Sequence, residues 1–454
     1  VPSKSYADRK YGVFLDPEEL PRKWYNIVPD LPEELAPMLN PNTHEPMGPK
    51  DFEKLFPKEL VKQQFSMERW FDIPEEVWEA YRRLPRPSPL IRAKRLEQFL
   101  KTPAKIYYKA EQFTPVGSMK PNSALAQTYY AKKQGLDLAI SETGAGQWGS
   151  ALAMSCAWFD LSARIYMVRV SSKQKPGRKI MMETYGAEVL ESPSDKTKIG
   201  RKLLAENHDH PGSLGIAISE AIEDTFATEG SRYLLASAFN YALAHQTIIG
   251  LETQKQFELL DEIPDLMCGC IGGGSNFSGF IYPFVREKLR KKIDTEFMAC
   301  EPSAVPSTTR GKFTYDYADT AEQTPLVKMY TVGHNFANPP IHAGGLRYHG
   351  KAPSLSLLIY RKVVESVSFP QTKVFEAARI FARTEGVITA PESAHGLRYA
   401  IDEAIRCRKK NEKKVIVFNN CGHGLLDLSA YDEYNHGKLV DWSPEEIITP
   451  HYVT

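Results

Sequence analysis

Residues 137–158 read DLAISETGAGQWGSALAMSCAW, and how they divide decides the fold. DLAISE has the apolar, β-favouring character of a buried strand, and GQWGSALAMSCAWFDL that of a helix. Between them lies the glycine-rich turn ETGAGQWGS, 142–150. Strand, glycine turn and helix in that order open a βαβ unit. Gly144, Gly146 and Gly149 match G-x-G-x-x-G in the context a dinucleotide site requires. Such a site also needs an acid at the end of the next strand to bind a ribose. There the chain reads MVRVSSKQK, basic and hydroxylic, so the dinucleotide reading is set aside. What survives is the physics of a helix N-terminus, whose free N–H groups attract an anion. No basic side chain lies in the turn, so one small carboxylate suits it at least as well as a pyrophosphate. Glu142, at its edge, is either a solvated loop acid or a proton-transfer group.

The alternation continues on both sides. AKIYYKAE, ARIYMVRV, AEVLES, DLMCGCIGG, TEFMACEP and KVIVFNN read as strands. SALAQTYYAKKQ, KPGRKIMMETYG, HQTIIGLETQKQFELL, FSGFIYPFVREKL, VFEAARIFARTEG and AHGLRYAIDEAIRCRKKN read as helices. Apolar strands alternating with helices predict an α/β fold with a doubly wound, mainly parallel sheet, and the length allows two such units. Residues 1–85 differ, being rich in proline, aromatics and charge. They predict an N-terminal arm laid over the body, with short helices at DFEKLF and PEEVWEAYRRL and with Trp24, Tyr25 and Trp70 seeking burial. The expected division is the arm 1–85, an α/β domain 86–235, a second α/β domain 236–435 and a tail 436–454.

A net charge of +1 gives no electrostatic case for nucleic acid or an anionic membrane. The most apolar run, ALAMSCAWFDLSARIYMV, is broken by Asp160 and Arg164 and divides better into helix, turn and strand. No secretory or transit signal opens the chain, whose first residue is Val, and a reducing cytoplasm is expected. Six cysteines scattered over 454 residues form no disulfide framework. Cys268 and Cys270 form C-x-C in a strand with no further ligands nearby, so core packing outweighs a metal site.

Three further features resist a purely structural account. GSMKPNS, 117–123, places Lys120 at the start of a helix, with Ser118 as the expected N-cap and Pro121 in the first turn. That is the wrong end of the helix dipole for a cation, so either the lysine is solvated or it is kept for its amine. GGGSNFSG, 272–279, again joins a strand to a helix. Phe277 breaks G-x-G-x-x-G and no Lys-Ser/Thr follows, so a monophosphate cradle fits better than a nucleotide loop, with a structural glycine turn as the alternative. NNCGHGLLD, 419–427, follows the strand KVIVF; its His423 reads as structural. All three glycine loops follow strands and could face one crevice. An amine, a phosphate cradle and a carboxylate cradle are the parts of a pyridoxal-phosphate site.

GSMKPNSA, ETGAGQWGSAL, GGGSNFSG, HAGGLRYHG, PESAHGL and CGHG, in this order over roughly residues 85–435, resemble the tryptophan synthase β chain. The arm, the tryptophan in ETGAGQWG and GLRYHG resemble its second, divergent subgroup. The resemblance implies the fold-type II architecture of pyridoxal-phosphate enzymes. It implies that Lys120 forms a Schiff base with the cofactor and later shuttles the α-proton. Gly272, Gly273, Gly274, Ser275 and Asn276 would hold the phosphate side, with Asn276 turned to the ring hydroxyl. Asn122, Glu392 and Cys421 would also lie at the cofactor. Thr143, Gly144, Ala145, Gly146 and Gln147 would hold the amino-acid carboxylate, and Glu142 would activate indole. The implied reaction is β-replacement, through an aminoacrylate, of the β-substituent of serine or O-phosphoserine by indole. Arg347 stands where the main group has aspartate and could fork onto a leaving phosphate, which favours phosphoserine.

The chain departs from the family at Met119, where His is usual, and at Cys421, where Ser usually donates to the pyridine nitrogen; a thiol donates weakly. Other readings are a different fold-type II lyase or dehydratase, or a weakly active subunit that depends on a tryptophan synthase α chain. The resemblance also implies a homodimer and leaves the α-chain contact open. Some members hold a monovalent cation through backbone carbonyls, which sequence cannot reveal because every residue has one.

Overall fold

Two sheets organise the chain, and their buried strands explain why the sequence shows apolar runs more than alternation. The computed structural model describes residues 5–447 and 452. The smaller sheet has the order Ser231–Tyr233, Leu138–Thr143, Ser162–Val168, Glu188–Ser192, with every pairing parallel. The larger has eight strands, in the order Tyr6–Asp8, Gly12–Phe14, Leu90–Arg92, Lys105–Ala110, Val415–Asn420, Leu266–Cys270, Glu296–Pro302, Glu365–Phe369. Its last five run parallel, and its first three form an antiparallel edge. The α/β class holds. Lys105–Ala110 pairs with Val415–Asn420, far away in sequence.

The N-terminal arm does more than cover the body, because its first two strands lengthen the larger sheet. Its helices run Pro49–Phe52, Lys58–Gln64 and Glu75–Arg83. Trp24 and Tyr25 are buried: the Trp24 ring lies 4.5 Å from that of His245, and the Tyr25 N–H donates to Thr247 Oγ1 at 2.8 Å. Both partners sit on the helix Asn240–Leu260. Trp70 stays 36% exposed, its ring 5.3 Å from that of Tyr25. The apolar run around Asp160 divides into the helix Gln147–Trp158 and the strand Ser162–Val168, with Asp160 at φ 51° between them. Among the described residues no helix is long and apolar enough to cross a membrane.

Ser118 does not cap the helix behind it. That helix begins at Pro121, with Lys120 as the residue before its first turn. A long-range contact sets this start: the Met119 N–H donates to the Cys421 carbonyl at 3.0 Å, tying the segment to the end of a neighbouring strand. Ser118 is instead held by Thr114, whose Oγ1 accepts the Ser118 N–H at 3.0 Å and donates to the Ser118 carbonyl at 2.6 Å.

Candidate active site

The carboxyl ends of the two sheets face one cavity. Lys120 reaches it from the start of its helix. Burial lowers the lysine's proton affinity, while Cys421, Cys270, Glu142 and Glu392 pull it back up. An amine with a lowered pKa spends more time unprotonated, the form that adds to a carbonyl.

Gly272, Gly273 and Gly274 form the opposite wall, between the strand Leu266–Cys270 and the helix Ser275–Leu289. Side chains cannot be accommodated there. A Cβ on Gly272 would lie 2.4 Å from the Gly345 carbonyl oxygen, and one on Gly273 would lie 2.1 Å from Ser237 Oγ. Gly274 has φ +112°, where L side chains are strained. The turn therefore presents bare backbone and the first N–H groups of a 15-residue helix. Asn276 is fixed by Asn419, whose Nδ2 donates to Asn276 Oδ1 at 2.8 Å.

The second glycine turn supplies Thr143, Gly144, Ala145 and Gln147 to the same cavity. Gly146 does not line it; at φ +87° it is the N-cap of the helix Gln147–Trp158, backed against Arg178. Glu142, the last residue but one of the strand Leu138–Thr143, is a buried carboxyl. Burial pushes it up to about 7, although the Tyr233 hydroxyl donates to its Oε2 and Lys120 lies near. An acid titrating near neutrality can both take and return a proton. Glu392 has the opposite balance. Burial opposes its charge, but Lys175, with Nζ 3.8 Å from Oε1, and the Gly345 N–H at 2.9 Å hold it below the usual carboxylate range. Gln147 Nε2 joins the two sides, donating to Glu392 Oε2 at 3.3 Å.

Cys421 and Cys270 close the far end, their sulfurs 3.6 Å apart, with Ser393 Oγ 3.0 Å from the Cys421 sulfur. Cys270 thus faces the cavity, while Cys268 packs in the core. Besides Gly146, two residues expected at the site lie off it. Asn122 turns into a buried polar cluster: its Nδ2 donates to Glu111 Oε2 at 3.1 Å, and its Oδ1 accepts from Arg86 Nη1 at 2.7 Å. Arg347 lines an adjoining pocket that shares Gly144, Leu214 and Gly344 with the cavity, and its Nη2 donates to Ser171 Oγ. Burial lowers Arg347 to about 10.

Family models match residues 81–422 to "Pyridoxal-phosphate dependent enzyme". The chain is 57% identical over 440 residues to "Tryptophan synthase beta chain 2" of Aeropyrum pernix, covering 96% of this chain and 98% of that one. It is 55% identical over 427 residues to "Tryptophan synthase beta chain" of Pyrococcus horikoshii, covering 94% and 93%. The chain belongs to the tryptophan synthase β-chain family. An L-serine ammonia-lyase from the fungus Rhizomucor miehei shares the fold, with a TM-score of 0.58 at 17% identity over 78% of this chain and 98% of that one.

For a tryptophan synthase β chain the cofactor is pyridoxal phosphate, and the residues present fit it. A bare glycine cradle at a helix N-terminus faces a buried lysine, with a thiol at the cavity end. The family motifs do not mark everything that lines the cavity. Leu55 and Phe56 come from the arm, Tyr233 ends an edge strand of the small sheet, and Phe239 lies beyond it. Leu214, Ile218 and Ile222 line it at four-residue spacing, one face of the helix Leu214–Ala227. That spacing was a signal open to the sequence; the arm's contribution was not.

Proposed function

We propose that this chain makes L-tryptophan by pyridoxal-phosphate-dependent β-replacement, joining indole to the carbon skeleton of serine or O-phosphoserine. The names of its relatives carry the reaction, and the cavity's division into polar and apolar halves supports it. Lys120, the two glycine turns and Glu392 form the polar half. Leu55, Phe56, Leu214, Ile218, Ile222 and Phe239 form an apolar half that a dehydratase acting on serine alone would not need.

When bound, pyridoxal phosphate supplies an electron sink for the amino acid joined to it. The chain's residues do the rest. Lys120 holds the cofactor and carries the α-proton at Nζ. The turn Thr143–Gln147 orients the amino-acid carboxylate at a helix N-terminus. Glu142 takes the indole proton at its carboxylate, kept near neutral affinity by burial. The apolar half excludes water and positions the indole ring.

Phosphoserine is the donor this arrangement favours. Arg347 lies beside the substrate turn, and among the described residues no carboxylate lies within ion-pair distance of it. Its Nη2 donates to Ser171 Oγ, and its remaining N–H groups would meet a phosphate. The two α/β halves act as domains meeting at the cavity, and the chain works as a cytoplasmic homodimer, with an α chain as a further partner. The test is tryptophan formation by the purified chain from indole with serine or phosphoserine, without and with an α chain. Tryptophan from the chain alone supports the reading. Ammonia release that ignores indole would replace it with a dehydratase, and turnover only with the α chain would make this a dependent subunit.

A further inference from the structure

Lys351 is a buried cation that the reaction does not use. It is 0% exposed and immediately precedes the N-cap of the helix Pro353–Tyr360, again the end where a positive charge is disfavoured. Its surroundings are oxygen atoms. Nζ donates to Ser307 Oγ at 3.1 Å and to the Tyr348 carbonyl at 3.4 Å, and Glu301 Oε2 lies 3.9 Å away. Glu301 is itself fixed, accepting the Thr309 N–H at 2.9 Å and Thr309 Oγ1 at 2.8 Å. A carbonyl, a hydroxyl and a carboxylate are the donors that a monovalent cation such as potassium takes, and an ammonium group is close to potassium in size.

The position gives this charge a task. Tyr348 lines the cofactor cavity, and its ring is 3.6 Å from where a Cβ on Gly273 would sit. On the other side of Lys351, the Ala352 N–H donates to the Gly273 carbonyl at 2.8 Å. Ser307 Oγ also donates to the His349 carbonyl at 2.8 Å. The segment 348–352 therefore runs from the cavity wall to the phosphate-side turn, and Lys351 Nζ ties it by a hydrogen bond to Ser307, in the loop after the strand Glu296–Pro302, and by charge to Glu301 within that strand.

We propose that the Lys351 ammonium is a built-in monovalent cation, a positioning residue that fixes the Tyr348 wall against the Gly272–Gly274 turn and removes any need for a dissolved one. The cofactor readout below rests on the proposed phosphate cradle; the melting readout does not. Burial lowers Lys351 to about 8, so it keeps its charge at neutral pH. Lys351 also borders a cavity of about 570 Å³ between the arm and Tyr348, through which a small ion can reach the place of a missing ammonium.

The test compares potassium, ammonium and sodium chloride with choline chloride, whose cation is too large for the site, at equal ionic strength. The wild-type chain should keep its cofactor affinity and turnover within twofold in all four salts. Lys351→Met in choline should bind pyridoxal phosphate at least tenfold more weakly and, as apoprotein, melt at lower temperature. Potassium or ammonium should recover most of both losses, which a merely structural lysine would not allow. If the single variant does not fold in choline, its folding in ammonium chloride supports the proposal. Lys351→Met/Glu301→Gln removes both charges; it should fold, bind the cofactor at least fivefold more weakly than wild type and ignore the choice of salt. The proposal is overturned by a wild-type dependence on potassium or sodium, by losses that no small cation relieves, or by wild-type cofactor affinity in the double variant. Wild type that binds no cofactor would count against the functional reading, and the apoprotein melting would still judge Lys351.

Discussion

The Tyr233 hydroxyl donates its hydrogen to the Glu142 carboxylate at the edge of the active-site cavity. The two residues lie on paired parallel strands and share a fully buried environment, so the bond moderates a charge that burial opposes. Without it the carboxyl would hold its proton more tightly. Tyr233→Phe should therefore shift the acid limb of the indole-dependent rate, centred near 7 through Glu142, to higher pH. A shift of about one unit corresponds to about 1.4 kcal/mol. A pH–rate profile with saturating donor reads this; an unmoved limb would remove Glu142 from the proton transfer.

Arg347→Ala should separate the two donors. Losing a charge-assisted hydrogen bond costs about 1.5–3 kcal/mol, so kcat/KM for phosphoserine should fall roughly 10- to 100-fold. The value for serine should change less than about threefold, on the order of a lost neutral contact. Equal losses would leave Arg347 with no role in phosphate recognition.

Phe56→Ala should be read in the KM for indole. The Phe56 ring lies 5.2 Å from that of Phe239 and 5.6 Å from that of Tyr233 in the apolar half of the cavity. Losing about 1.5 kcal/mol of apolar contact should raise that KM roughly tenfold while the KM for the amino-acid donor stays put. A change confined to the donor would place indole elsewhere.

The cluster behind Lys120 should govern stability. Arg86 donates from Nη1 to Glu111 at 2.8 Å and from Nε to Glu252 at 3.0 Å, and Lys109 Nζ donates to Glu252 at 2.7 Å, all fully buried. Arg86→Met leaves a buried charge uncompensated and should cost about 3–5 kcal/mol at neutral pH. Its pH dependence follows from Glu111. Burial pushes that carboxyl up, but Arg86 and then Lys109 hold it below the ordinary range. In the wild type, Glu111 thus contributes stability that is present above its unfolded pKa and lost as pH falls through the folded one. In the variant burial prevails, the folded state binds the proton more tightly, and the contribution appears at low pH. Urea titrations at pH 7 and pH 4 should show the gap between the two proteins narrowing; a constant gap would contradict this.

What the sequence made legible was local. Strand, glycine turn and helix are short-range patterns, and their junctions put Glu142, Gly144 and Gly272–Gly274 at the carboxyl ends of strands. What it hid was set over distance. Ser118 has the chemistry of an N-cap, but the contact from Met119 to Cys421, some 300 residues on, decides where the helix begins. Asn122 belongs to the motif around Lys120, yet Arg86 and Glu111 decide where its side chain points. Leu55 and Phe56 reach the cavity only because the arm folds back over the body, and Tyr6–Asp8 and Gly12–Phe14 are three-residue strands with no periodicity to reveal them.

The most direct test of the account is to load the chain with pyridoxal phosphate, reduce it with borohydride, digest it and locate the pyridoxyl group by mass spectrometry. The account predicts one modified lysine, Lys120, in the peptide that contains GSMKPNS, and no adduct in Lys120→Ala. An adduct on another lysine, or the same adduct surviving in Lys120→Ala, would contradict the placement of the reaction between the two glycine turns.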